Sequence, residues 1–171
     1  MNFTFETQYD QKSFTVMARV LRKTVRKKKN KRTHVVGWLV ILLALLLMFA
    51  DGFHWDMRTA ITMLAVFVMV VTWIWEDQIN GWLGKKRLLE GLKRSVVVFK
   101  EDCYSSETEL GKSEFTYDKI STIAETEDYF IFVFDKLHGQ VYDKAHLSGG
   151  TVEEFRRFIQ DKTGKELQNL K

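Results

Sequence analysis

The sequence VVGWLVILLALLLMFA, at residues 35–50, contains no charged or strongly polar side chain. A second stretch, AITMLAVFVMVVTWIW at residues 60–75, is interrupted only by Thr62 and Thr72. No other part of the 171-residue chain has a comparable apolar run. A bilayer core about 30 Å thick needs roughly 20 apolar residues in helical conformation. With their neighbours, the two stretches therefore predict transmembrane helices at about 33–53 and 57–75.

Two other interpretations of these stretches are less favoured by the sequence. A core helix of a soluble bundle usually keeps a polar stripe, but residues 39–49 show none on any helical face. A signal peptide lies at the start of a chain, whereas the first stretch here begins more than thirty residues in and a second one follows closely. The sequence favours a helical hairpin in a membrane.

The basic residues predict the orientation of this hairpin. Nine Lys and Arg side chains lie between residues 19 and 34, five lie between residues 76 and 94, and the loop between the helices carries only Arg58. Because loops rich in Lys and Arg stay in the cytoplasm, we expect a two-pass protein of the cell inner (plasma) membrane with both termini cytoplasmic. Tryptophans near the ends of the stretches are typical of an interfacial belt: Trp38, Trp55, Trp73, Trp75 and Trp82.

The distribution of charge suggests four regions. We expect a strand and a basic amphipathic helix in residues 1–32 and the hairpin in residues 33–75. Residues 76–94 are expected to form an amphipathic connector helix that lies on the membrane or against the next domain. Residues 95–171 predict a cytoplasmic domain whose net charge is -5, whereas residues 1–34 carry +8. The acidic balance argues against nucleic-acid binding by this domain.

A run of cations immediately precedes the hairpin. It consists of Arg26, Lys27, Lys28, Lys29, Lys31 and Arg32. One interpretation is contact with anionic lipid, to which each charge near the surface contributes about 1 kcal/mol. The other is that the run only sets the orientation of the hairpin, which requires no specific ligand. The sequence leaves both interpretations open.

The C-terminal region predicts an antiparallel β-sheet or barrel closed by a helix. Strand-like segments follow one another from residue 96 to residue 143, and Phe130, Phe132 and Phe134 share one face of the best of them. The turn at residues 136–139 is expected to use a positive φ at Gly139. A capping-box pattern at Thr151 predicts a helix at 151–163. The fold class is an α+β membrane protein, and the N-terminal strand is expected to join the same sheet.

This order of elements resembles the bacterial YcxB-like family. The resemblance rests on FTYDKISTIAETEDYFIF at residues 115–132, on VYDKA at residues 141–145 and on the closing helix from Thr151 to Ile159. Asp143 stands where the family's turn has proline. The resemblance implies a small membrane-anchored protein with a pleckstrin-homology-like cytoplasmic domain. It implies no reaction and no catalytic residues.

The sequence contains no recognisable catalytic or metal-binding motif. The spacing of His34, His54, His138 and His146 matches no metal site, and Cys103, beside two carboxylates, is expected to be a poor nucleophile because its pKa is raised. A single cysteine also excludes an internal disulfide. No Asp, Glu, Lys, Arg or His lies within the two apolar stretches, which argues against a transporter or channel. We therefore predict no cofactor and no metal.

Three hypotheses about function remain. The first is a non-enzymatic, membrane-anchored binding or regulatory module whose partners are the bilayer and a protein at the cytoplasmic domain. The second is a membrane immunity protein that protects against a toxin. The third is a lipid-acting membrane enzyme that uses His138, Asp143 or His146.

Overall fold

The computed structural model of this chain describes residues 2–50, 52–89 and 92–170. The helices are α1 (Gln11–Lys23), α2 (Lys27–Ala50), α3 (Met57–Ile74), α4 (Glu76–Lys86) and α5 (Val152–Thr163). The strands are β1 (Phe3–Gln8), β2 (Arg94–Phe99), β3 (Cys103–Thr108), β4 (Gly111–Thr116), β5 (Thr122–Glu125), β6 (Tyr129–Val133), β7 (Gly139–Asp143), β8 (Leu147–Ser148) and β9 (Leu167–Asn169). The fold is α+β with two apolar helices and mainly antiparallel sheets.

The N-terminal strand belongs to the same sheet as strands that follow the apolar helices. One sheet has the order β4-β3-β2-β1-β8 and the other the order β7-β6-β5-β9. β1 pairs antiparallel with β2, with Phe3 opposite Phe99 and Gln8 opposite Arg94. The expectation that the first strand joins the sheet of the C-terminal region is confirmed, so the two apolar helices are inserted into one fold.

The two sheets enclose a core rich in aromatic side chains. Period-two alternation directs Phe3 and Phe5 of β1 toward α5, where the ring centroid of Phe5 lies 4.7 Å from that of Phe155. Phe130 and Phe132 are buried in this core, and Phe134 packs against it, as the alternation predicts. Edge-to-face ring contacts of this kind add to the stabilisation from burial alone.

The outer face of β6 is covered by α1. Val20 and Leu21 of α1 are buried against Tyr129, Ile131 and Val133 of β6. These strand residues are apolar on both faces, which is why the sequence predicts a strand covered on both sides. Helix α1 is therefore anchored to the second sheet by its apolar face.

A buried carboxylate joins α5 to the second sheet. Glu125, only 5% exposed, accepts hydrogen bonds from Arg156 Nε at 2.9 Å and Nη2 at 2.8 Å and forms an ion pair with Lys144. Burial alone would raise the pKa of Glu125, but the hydrogen bonds from Arg156 and Lys144 outweigh it and lower that pKa. The ionised carboxylate therefore stabilises the folded state.

Several details differ from the sequence-based expectations. The described strands form two open sheets rather than a barrel, with β4 and β8 at the edges of one sheet. Strand β9, which pairs in parallel with β5, was not expected because its three residues, Leu167 to Asn169, show no strand pattern. The connector helix ends at Lys86 rather than continuing to residue 94, and Arg94 instead pairs with β1 as the first residue of β2. Residues 90 and 91 of the predicted connector lie outside the described residues.

The expectation for Gly139 is wrong. Positive φ values among the described residues occur at Gly52, Gly111, Gly149 and Gly164. The turn before Gly139 is instead held by Asp135, whose Oδ1 accepts from the backbone N–H groups of Leu137 and His138 at 2.6 and 2.9 Å. A Cβ at Gly139 would lie 3.1 Å from the carbonyl oxygen of Phe132, so glycine is favoured here by close packing.

We expect Glu125→Gln to lower the melting temperature of the detergent-solubilised chain at neutral pH. Removing one partner of a buried ion pair costs about 3 kcal/mol, which corresponds to about 6–12 °C for a chain of this size. Because the pKa of Glu125 is lowered in the folded state, its stabilisation is present above the unfolded pKa of about 4.3 and is lost as the pH falls through the folded value. The difference between wild type and variant should therefore shrink in acid.

The matched control is Glu153→Gln. Glu153 also lies near Arg156, at 3.5 Å, but is exposed, so the change in melting temperature should stay small. If both substitutions lowered the melting temperature equally, a stabilising role for the buried carboxylate would be contradicted. The same holds if the difference in melting temperature between wild type and Glu125→Gln did not depend on pH.

Candidate functional site

The two apolar helices stand apart from the packed sheets. By length and composition, α2 and α3 are long enough and apolar enough to cross a membrane. With 24 and 18 residues, they extend about 36 Å and 27 Å. Most of their large apolar side chains are exposed, and the buried residues are Ile41 in α2 and Thr59 in α3. Neither helix is therefore a core helix of this fold.

Helices α2 and α3 meet closely at the end nearest the sheets. A Cβ at Gly37 would lie 2.2 Å from the Trp73 ring, so glycine leaves the space that this ring occupies. The Trp73 ring also stacks on His34 at a centroid distance of 5.1 Å. His34 Nε2 lies 3.1 Å from Glu76 Oε2. These contacts fix the base of the hairpin where α3 passes into α4.

The basic run forms the first turns of α2. Lys27, Lys28, Lys29, Lys31 and Arg32 are exposed, and the half-buried Arg26 donates from Nε to the carbonyl oxygen of Lys136 at 2.5 Å. Within the described residues, none of these six cations forms an ion pair with a carboxylate. The positive end of a helix dipole lies at its N-terminus, so cations in the first turn of α2 are unfavourable there. This cluster of positive charge is not balanced within the described chain.

A close contact between α1 and α4 holds the basic run beside the apolar helices. Arg22 of α1 donates from Nε and Nη2 to both carboxylate oxygens of Asp77, at 2.7 and 2.6 Å. Asp77 is only 8% exposed, and this bidentate geometry is the strong form of an ion pair. Nearby, a Cβ at Gly81 would lie 2.7 Å from the backbone of Thr15. Only glycine lets the two helices approach this closely.

The opposite face of α4 is apolar and uncovered within the described residues. Trp75, Ile79, Trp82 and Leu83 recur at helical spacing and are 37–53% exposed. Lys85, Lys86 and Arg87 follow at its C-terminal end, and Lys86 Nζ lies 5.1 Å from the centre of the Trp82 ring. Helix α4 is amphipathic, with one face on α1 and an aromatic stripe on the other.

The histidines and the cysteine do not converge into a reactive site. His138 Nδ1 lies 2.8 Å from Asp135, before β7, whereas His146 Nδ1 lies 3.1 Å from Asp143, after β7. The described residues include no group of three or more His, Cys, Asp or Glu that could hold a metal ion. The pKa of Cys103 is raised, chiefly by Glu114 on the neighbouring strand and to a smaller extent by the adjacent Asp102.

Comparison with known proteins supports the resemblance drawn from the sequence. The family model described as YcxB-like protein matches residues 99–159, from the end of β2 to the body of α5. The suspected resemblance to the YcxB-like family is thus confirmed over this segment. No curated protein and no solved structure matches the chain.

We expect Gly81→Ala to separate α4 from α1, because the added Cβ would lie 2.7 Å from the Thr15 backbone, which cannot rotate away. Overpacking of this kind costs about 1–3 kcal/mol. The measurements are the melting temperature and the rate of trypsin cleavage at Lys85 to Arg87. Gly84→Ala is the matched control, since its Cβ would meet only the edge of the Phe14 ring, at 3.0 Å. Equal destabilisation by both substitutions would contradict a special role for the Gly81 contact.

Proposed function

We propose that this protein is a membrane-anchored, non-enzymatic binding module with both termini in the cytoplasm. The observation that carries the proposal is a run of cations without carboxylate partners among the described residues, at the base of two exposed apolar helices. The two sheets and the closing helix α5 support a pleckstrin-homology-like fold for the cytoplasmic part. That part would present its surface to a protein partner.

Membrane insertion is supported by the exposure of α2 and α3. Soluble monomers rarely expose contiguous apolar patches larger than a few hundred Å², and these two helices are apolar along nearly their whole length. Aromatic side chains lie at both ends of the pair. Trp38 and Trp73 lie toward the basic end, and Phe53 and Trp55 lie in the loop at the other end. This is the pattern of an interfacial belt.

Anionic lipid is the ligand that best fits the basic run. The exposed cations and the N-terminal end of α2 both favour negative charge at the same place, where headgroup phosphates would lie. The aromatic stripe of α4, followed by three cations, is typical of a helix that lies in the membrane interface. Because α4 follows α3 with only Trp75 between them, both surfaces would meet the same leaflet.

The orientation is tested with single cysteines introduced into a Cys103→Ser background. The sample is bacterial spheroplasts, whose inner membrane is still sealed. A membrane-impermeant maleimide added to them should label His54→Cys, in the loop between α2 and α3. It should label Leu137→Cys, which is 70% exposed in the sheet region, only after lysis. Labelling of Leu137→Cys in intact spheroplasts, or labelling of His54→Cys only after lysis, would overturn the proposed orientation.

Lipid preference is tested by native mass spectrometry of the full chain released from nanodiscs that contain phosphatidylglycerol and phosphatidylcholine. Replacing Lys27, Lys28 and Lys31 together by Gln should reduce the enrichment of phosphatidylglycerol. At about 1 kcal/mol per charge, the reduction is at most on the order of a hundredfold. The same enrichment should fall as the salt concentration rises, because exposed charges are screened.

The control removes three exposed cations from the sheet region, with Lys100, Lys112 and Lys119 replaced by Gln. This variant has the same net charge as the test variant and should keep the lipid preference. If both variants lose it equally, or if the wild type shows no preference, the basic run does not recognise anionic lipid.

A further inference from the structure

A cavity of about 310 Å³ lies between α1 and the outer strands of the first sheet. Its volume is near the lower limit of small-molecule sites and corresponds to about ten water molecules. One wall is apolar and includes Phe14 and Met17 of α1 with Leu88 and Leu92. The facing wall is formed by β3 and β4.

The cavity exists because the inner face of the sheet changes character along β3. Tyr104 fills the core at one end, but Ser106 and Thr108, which follow on the same face, are small. On β4 the partners of Ser106 and Thr108 are Ser113 and Gly111, so small side chains stand opposite small side chains. Because these side chains are small and Gly111 and Ser113 are exposed, this end of the sheet leaves an open space beside α1.

The polar groups of the cavity are hydroxyls and amides rather than charges. Among the described residues that line it, none is Asp, Glu, Lys, Arg or His. The hydroxyls of Ser106 and Ser113 make no hydrogen bond within the described chain. Tyr9 Oη accepts from Ser95 Oγ at 3.1 Å and keeps its own proton to donate. By contrast, the larger depression on the other side of α1 is lined by Lys12, Arg19 and Asp128.

We infer that this cavity binds a neutral, single-chain amphiphile, such as a medium-chain fatty alcohol. The hydrocarbon would lie against Phe14 and Met17, and hydroxyl or ester oxygens would bond to Ser106, Ser113 and Tyr9. A charged headgroup gains nothing here, because no residue in the lining carries an opposite charge. A two-chain phospholipid exceeds the volume available, since a pocket of this size encloses only a small ligand.

The membrane is the nearest source of such a ligand. Helix α4 is 11 residues, or about 16 Å, long, and it connects the end of α3 to the segment that supplies Leu88. This step alone rests on the proposed membrane location. Binding at the cavity is a property of the folded chain and can be measured in nanodiscs, whatever the orientation of the chain in cells.

The test is photolabelling of the full chain in phosphatidylcholine nanodiscs, whose two-chain lipid is too large for the cavity, with a diazirine-bearing decanol and mapping of the labelled peptides. Labels are expected on α1 and β4 and should be displaced by excess decanol. Ser113→Phe fills the cavity from β4 and should reduce this labelling at least tenfold. Lys112→Phe places the same side chain on the opposite face of the same strand and should leave it unchanged. Thr108→Leu is a second filling variant, and melting temperatures establish that each variant is folded.

The outcomes separate this inference from the proposed function. Labels confined to α2 and α3 would mean that decanol only partitions onto the apolar helices, and the inference would be overturned. Equal labelling by a diazirine-bearing decanoic acid would overturn the preference for a neutral ligand. If both filling variants kept the wild-type level of labelling by decanol, the proposed site would be overturned. None of these results depends on the orientation in cells or on phosphatidylglycerol enrichment, which test the proposed function.

Discussion

The pairing of β1 with β2 is the constraint on which the rest of the structure depends. These strands are neighbours in the sheet, yet both apolar helices lie between them in sequence. The chain must leave the fold after β1 and return before β2, so α1 and α4 are the outgoing and returning segments. Their contact through Arg22 and Asp77 therefore holds the apolar helices to the sheets at the point where the chain crosses between them.

The charged side chains differ in their pairing between the packed part of the fold and the start of α2. In the described part of the chain, the two buried carboxylates are paired, Glu125 with Arg156 and Asp77 with Arg22. The cations at the start of α2 are the contrast, because they are exposed, lie at the unfavourable end of a helix dipole and have no carboxylate partner among the described residues. In the proposed membrane location, a phospholipid surface beside the apolar helices would supply the nearest external anion.

The sequence predicts features whose signal is local and periodic. The two apolar stretches, the capping box at Thr151 and the alternation of Phe130 and Phe132 are each visible within a few turns or strand residues, and each is found in the structure. Features that depend on distant partners are not predictable in this way. Strand β9 exists because β5 offers a free edge, and Asp77 is buried because Arg22, 55 residues away, bonds to it. The cavity likewise cannot be predicted from local sequence patterns, because it arises where small residues of two different strands meet.

The helices α1 and α4 connect the two apolar helices to the cavity. Phe14 of α1 contacts α4 where Gly84 leaves room for its ring, and the same side chain forms part of the apolar wall of the cavity. The opposite face of α4 carries the exposed aromatic stripe. An amphiphile in the cavity and a lipid surface under α4 would therefore act on the same pair of packed helices, which the Gly81 contact keeps from sliding apart.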